Sequence, residues 1–366
     1  MSDLASLDAP VLGDLEKAYL CQAVDDGFVS TAGAFVPAFE AALSGYLGVP
    51  AAAAVQSGTA ALHLALLELG IGPGDEVILP SLTFAGTVHA VVHAGGRPVF
   101  AEVDPGTWTL APESVERLLS PRTRALLPVH LFGVPCDLEG LLAIARSRGL
   151  PLVEDAAESL GATKAGRPTG TWGDLGCFSF NGNKVLTTGG GGLVVGQDPR
   201  KVDHIRFLAN QAREAARGYF HPEVGYNYRM TNLEAALGLA QFERLEAALE
   251  VKRRTRALYA EALGGVPGLV LQDPGPEASP SWWLNAVLLP PGRPVEEVRA
   301  SLRERGVPSR RFFQPLHTFP PYQGLRRDAL ERTEALFDRG LCLPSSARND
   351  GPSIQRVADT LLEVLG

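Results

Sequence analysis

The chain has 366 residues, 45% of them hydrophobic and 20% charged, with 40 Gly and 28 Pro, a balance that excludes an intrinsically disordered protein and a length that suggests about two cores. Its formal net charge of −8 excludes a surface built to meet nucleic acid or an anionic membrane, because either needs a basic field to replace displaced counterions. Of the 33 basic residues only five are lysines, at positions 17, 164, 184, 201 and 252, so chemistry that needs a lysine has five candidates.

The amino-terminal stretch MSDLASLDAPVLGDLEK is acidic and lacks the basic and apolar regions of a signal peptide, and no run of about 18 apolar residues follows. Neither export nor membrane spanning is expected. The cysteines at 21, 136, 177 and 342 are scattered without CxxC spacing, so the reading is a cytoplasmic chain without a disulfide framework or a metal site.

From about residue 33, FVPAFEAALSGYLG reads as an amphipathic helix closed by Gly48. Ser57-Gly58-Thr59-Ala60 opens a second helix, Gly58 to Gly70. Small polar residues at a helix start either cap it or let a phosphate reach unpaired amides. The Lys of a GxxxxGK[ST] loop is missing, so nucleoside triphosphate hydrolysis is not indicated. Gly70, Gly72 and Gly74 follow a helix and precede a strand, the reverse of the dinucleotide fingerprint.

Strand-like runs then alternate with helices: strands at 75–80, 97–104, 125–133, 150–157, 177–181 and 191–196, helices at 84–95, 112–120 and 138–149. Such alternation predicts an α/β protein with a mostly parallel sheet covered on both faces, whose ligands meet the carboxyl ends of the strands. The run Val153-Glu154-Asp155-Ala156-Ala157-Glu158 places acids at such an end. Asp155 there either caps the next helix or holds a protonated ring nitrogen. In FSFNGNKVLTTGGGG, Lys184 follows a strand and precedes four glycines, the setting of a tight, desolvated turn in which an amine loses its proton readily and forms Schiff bases. One or two long helices span 227–265, Pro and Gly scatter through 266–295, and a helix (295–306), an extended RRFFQPLH and a terminal helix complete the chain. The change of texture predicts two domains, 1–247 and 248–366.

An anion cradle, a strand-end carboxylate and a loop lysine, in that order, are the three fixtures that pyridoxal phosphate requires. The segments SGTAALHLAL, PGDEVILPSLTFAGTVHAVVHAGGRPVFAEVD, LPVHLFG, VEDAAESLGA, GDLGCFSFNGNKVLTTGGGG and GYNYRMTNLEAALGLAQ resemble the DegT/DnrJ/EryC1/StrS family of nucleotide-sugar aminotransferases, and most closely its members that aminate C4 of a nucleotide-linked 4-keto-6-deoxyhexose. The resemblance implies the aspartate aminotransferase-like fold type I of pyridoxal-phosphate enzymes, with a large domain of mostly parallel sheet and a smaller carboxyl-terminal α/β domain. It implies Lys184 as the catalytic lysine and Asp155 as the partner of the pyridine nitrogen. Gly58, Thr59, Ala60 and Ser179 would surround the phosphate, and Phe84 would stack on the ring. Asn227 would reach the phosphate across a homodimer interface, and Glu158 stands beside the phenolic oxygen, where it must be protonated, turned away or paired. Ser30, Thr31, Arg229, Arg310 and His317 match segments near the substrate; Arg310 and His317 read equally as a surface charge and a structural hydrogen-bonder. Gly190 removes a glutamate that many relatives carry. Glutamate is the expected amino donor. The alternatives are a C3 keto-sugar or cyclitol aminotransferase, or a cofactor-binding regulator without turnover.

Overall fold

The computed structural model describes residues 5–366; the first four residues of the acidic amino-terminal stretch lie outside the described residues. Strands Arg97–Ala101, Glu76–Pro80 and Thr123–Leu126 pair in parallel, and Val153–Asp155 pairs in parallel with Leu175–Ser179. Parallel bridges Leu126–Leu152 and Val129–Asp155 join these two groups into one sheet. Gly192–Gly196 runs antiparallel between Leu175–Ser179 and the strand Ala51–Val55. Val77, Ile78 and Leu79 have no solvent exposure, the continuous apolar pattern of a sheet covered on both faces.

Helices Gly58–Glu68 and Ala85–His93 cover one face with the apolar side chains Leu62, Leu64, Val88 and Val91. Phe35–Leu47 and Asn232–Phe242 pack on the other. Gly48, at φ +65°, ends Phe35–Leu47 as expected of a left-handed C-cap.

A second sheet, antiparallel throughout, has the order Val270–Leu271, Asn285–Leu288, Gly340–Leu343, Arg310–Arg311. Helices Leu245–Leu263, Val295–Glu304 and Gly351–Leu365 bury Tyr259, Leu302 and Leu361 against it. The helix Leu245–Leu263 runs unbroken through residue 247: Leu249 packs in the core of the first sheet and Leu263 in that of the second. No described helix is long and apolar enough to cross a membrane.

Candidate active site

A cavity of about 220 Å³ opens where the strands Val153–Asp155 and Leu175–Ser179 end and the helix Gly58–Glu68 begins. Gly58, Thr59, Phe84, Asp155, Glu158, Ser179, Lys184 and Arg310 line it. The topology therefore gathers most of the residues singled out in the sequence, from segments up to 252 positions apart, onto the carboxyl edge of one sheet.

At the helix start, Ser57 is extended and its hydroxyl accepts from the Ala60 amide at 3.1 Å. The Ala60 amide is thus occupied, and the Gly58 and Thr59 amides, which have no intrahelical partner, are the donors facing the cavity. Two glycines admit the hydroxyls that flank them. A Cβ on Gly58 would stand 2.8 Å from Ser179 Cβ, and one on Gly86 would stand 2.8 Å from Thr59 Oγ1. Open amides, a helix dipole and two hydroxyls fit a phosphate dianion.

Asp155 lies on the cavity floor. Thr87 Oγ1 donates to its Oδ2 at 2.7 Å and the Ala157 amide to its Oδ1 at 3.1 Å. Burial raises its pKa against these bonds and against the Lys184 charge. A protonated ring nitrogen would supply the close cation that such a carboxylate favours.

Lys184 Nζ is 3.9 Å from Glu158 Oε1 and 3.7 Å from the centre of the Trp283 ring. Burial pulls its pKa down, Glu158 and Asp155 oppose that, and Arg310 adds to it. Glu158 is paired, one of the three arrangements expected for it: the Phe132 amide donates to Oε2 at 2.6 Å. Burial lifts its pKa to about 7, held back by Lys184 and the Phe132 amide. Gly190 also lines the cavity, and a Cβ there would meet nothing nearer than Glu234 Oε1 at 3.8 Å.

Phe84 sits on the rim, 60% exposed, with its ring 5.9 Å from that of Phe313. Arg310 is ion-paired with Asp8 of the amino-terminal segment, and Asp8 also accepts from Asn183 Nδ2 at 2.9 Å. Ser30, Thr31 and Arg229 form a separate cluster outside the cavity lining. Arg229 Nη2 donates to the Thr31 carbonyl at 2.6 Å, and the Asn232 amide to the Ser30 carbonyl at 2.6 Å. His317 is buried away from the cavity between Ser81 Oγ (2.8 Å) and Glu334 Oε1 (3.1 Å), the geometry of a structural hydrogen-bonder. Asn227 is exposed and opposite Asn210. Sequence reasoning missed Thr87, Gly86, Asn183, Asp8 and Trp283. The small residues after Phe84 in SLTFAGT carry a local signal for Gly86 and Thr87; Asp8 and Trp283 arrive through tertiary packing and carry none.

The model of the DegT/DnrJ/EryC1/StrS aminotransferase family matches residues 10–362. The GDP-perosamine synthase of Caulobacter vibrioides is 40% identical over 373 residues, covering 100% of both chains. The GDP-perosamine synthase of Vibrio cholerae is 38% identical over 339 residues, covering 92% of each. The crystal structure of S. venezuelae DesV in complex with ketimine intermediate aligns with a TM-score of 0.91 at 35% identity, covering 98% of this chain and 99% of that one.

Proposed function

The chain belongs to the DegT/DnrJ/EryC1/StrS aminotransferase family, and from that premise we propose that it uses pyridoxal phosphate to transfer an amino group from glutamate to C4 of a nucleoside-diphosphate-linked 4-keto-6-deoxyhexose. The observation that carries the reading is the convergence of Lys184, Asp155 and the open amides of Gly58 and Thr59 on one cavity. The choice of C4 is supported by two GDP-perosamine synthases among the relatives.

When bound, pyridoxal phosphate supplies a ring that accepts the electron pair released at the amino-bearing carbon. The chain supplies everything else. The Gly58 and Thr59 amides, with the Thr59 and Ser179 hydroxyls, bind the phosphate dianion at a helix start, where the dipole favours negative charge. Asp155 holds the proton on the ring nitrogen, and Thr87 orients the carboxylate by donating to its Oδ2. Phe84 covers the open side of the cavity. Lys184 is the amine that holds the cofactor covalently and, once freed by the donor, takes up and returns a proton at Nζ. Burial lowers the pKa of that amine, and the Glu158 and Asp155 charges work against the shift. Glu158, near its midpoint at neutral pH, presents less than a full charge to the phenolic oxygen. Arg310 is placed to bind a substrate anion, exchanging it for Asp8. A second copy of the chain brings Asn227 to the phosphate, a reading supported by the exposure of both Asn227 and the Phe84 ring.

Lys184→Ala is expected to stay folded, to lose the visible absorbance of the bound cofactor and to lose at least about 10³-fold in transamination. An unchanged visible spectrum would overturn the assignment. Incubation of the wild type with glutamate and a panel of nucleotide-linked keto sugars, with the new amine located by NMR, tests the position: an amine at C3 or on a cyclitol replaces the C4 reading.

A further inference from the structure

One aromatic side chain faces the reactive amine. The Trp283 ring centre lies 3.7 Å from Lys184 Nζ, and the residue is 2% exposed. Its indole N–H donates to the Asn183 carbonyl at 2.6 Å, so the same side chain grips the peptide that precedes the lysine. The Trp283 carbonyl accepts from the buried Lys252 ammonium at 3.1 Å, and that ammonium also donates to the Ser345 carbonyl at 2.8 Å. Ring and backbone are therefore both fixed.

The backbone that presents the ring is strained. Trp282 has φ +49° and Phe132 has φ +57°, left-handed conformations that bulky residues adopt only under constraint. The two meet at one crossing, where the Ser281 amide donates to the Gly133 carbonyl at 3.1 Å and the Leu284 amide to the Phe132 carbonyl at 3.4 Å. Gly133, at φ +94°, makes the crossing feasible, since a Cβ there would stand 2.9 Å from the Trp283 amide nitrogen. Strain of this kind concentrates where a side chain must be held in one place.

What the ring faces is an amine whose side chain is 13% exposed and which has no close acceptor among the described residues. Glu158 Oε1 lies beyond hydrogen-bond distance at 3.9 Å, and the other charges felt by Lys184 are Asp155, Arg310 and Asp8. An ammonium in such a site is costly unless something compensates its lost water. An indole face compensates the charge and accepts no proton in return.

We propose that Trp283 is a positioning residue for the reaction: its ring face is the resting place of the Lys184 amine whenever that amine is not bonded to carbon, and it keeps the proton on Nζ instead of passing it to Glu158. The proposal rests on the role given above to Lys184. Its test is arranged so that the two can fail separately.

In the full-length protein freed of cofactor, the five lysines are resolved by NMR after ¹³C labelling of their side chains, and the Lys184 signal is the one lost in Lys184→Ala. Trp283→Leu is expected to lower the Lys184 pKa by about one unit, a tenfold shift in its protonation equilibrium. Trp283→Phe, which keeps a ring face and loses the N–H, is expected to retain most of the wild-type value; Trp283→Met replaces the leucine variant if that one does not fold. An unchanged Lys184 pKa in a folded aliphatic variant overturns the proposal. So does a shift in Trp283→Phe as large as in Trp283→Leu, because the bond to Asn183 and not the ring would then be acting. With cofactor restored, the aliphatic variant is expected to lose about tenfold in kcat with both KM values little changed. An unchanged kcat likewise overturns the proposal. The lysine titration is read without cofactor, so it stands apart from the covalent assignment, which the absorbance of Lys184→Ala tests.

Discussion

Glu158 shows how a single side chain couples the site to pH. Burial lifts its pKa from an ordinary 4.5 to about 7, so the folded protein binds this proton more tightly than the unfolded chain. The stabilisation linked to it is complete below pH 4.5 and is lost as pH rises through about 7. Glu158→Gln keeps an acceptor for the Phe132 amide and removes the titration. In cofactor-free protein it is expected to be close to neutral for stability at pH 5 and stabilising by about 2 kcal/mol at pH 8. Urea unfolding at the two pH values checks this, and an equal effect at both would rule it out. At this scale the scarcity of lysine made Lys184 legible, because only that lysine lies between a strand and a glycine run. The same reasoning missed that Lys164 and Lys252 are buried, whereas Lys184 is half-buried. Lys252 sits in a charged helical stretch, and its partners are carbonyls 31 and 93 residues further on, a distance over which local pattern carries no signal.

Elements were legible where periodicity and punctuation agreed. The helices after Gly58, Phe84 and Asp137 start where expected. The strand Ala51–Val55 was not seen, because a run of four alanines favours helix in isolation. Its five residues pair in register with Gly192–Gly196, and tertiary pairing overrides propensity. The strand expected over 125–133 ends at Leu126, and the left-handed Phe132 turns the chain into a short 3-10 turn instead. The helix start at Gly58 is a point of close approach. A Cβ on Gly58 would stand 2.8 Å from Ser179 Cβ, an atom fixed to the strand backbone, so Gly58→Ala must push helix and strand apart and is expected to cost about 1–3 kcal/mol of stability. Displacement of the Ser179 hydroxyl is expected to weaken pyridoxal phosphate binding about tenfold. Equilibrium dialysis against the cofactor reads the second effect. Adding Ser179→Gly, which removes the opposing Cβ, should fail to restore affinity because the hydroxyl is then absent; recovery would show that the hydroxyl is not a phosphate ligand.

For the whole molecule, the residues that the family resemblance assigns to the site divide into those that meet inside one chain and those that stay at its surface. Lys184, Asp155 and Ser179 meet within one fold, whereas Asn227 stays at the surface, Phe84 is 60% exposed, and Tyr219 (84%) and Val224 (79%), a few residues before Asn227, are exposed as well. Exposed aromatic and aliphatic side chains of this kind are expected to be covered by a partner copy. If each site takes Lys184 from one subunit and Asn227 from the other, two inactive variants should complement each other. Lys184→Ala lacks the amine in both sites, and Asn227→Ala weakens the phosphate contact in both. After dissociation and random reassociation in equal amounts, about half of the dimers are mixed, and each mixed dimer holds one intact site and one that carries both substitutions. Activity at low cofactor concentration is then expected to rise to about a quarter of that of the wild type. Sites built within one chain would give no more than the sum of the two parent variants, because no reassortment could then unite an intact Lys184 with an intact Asn227.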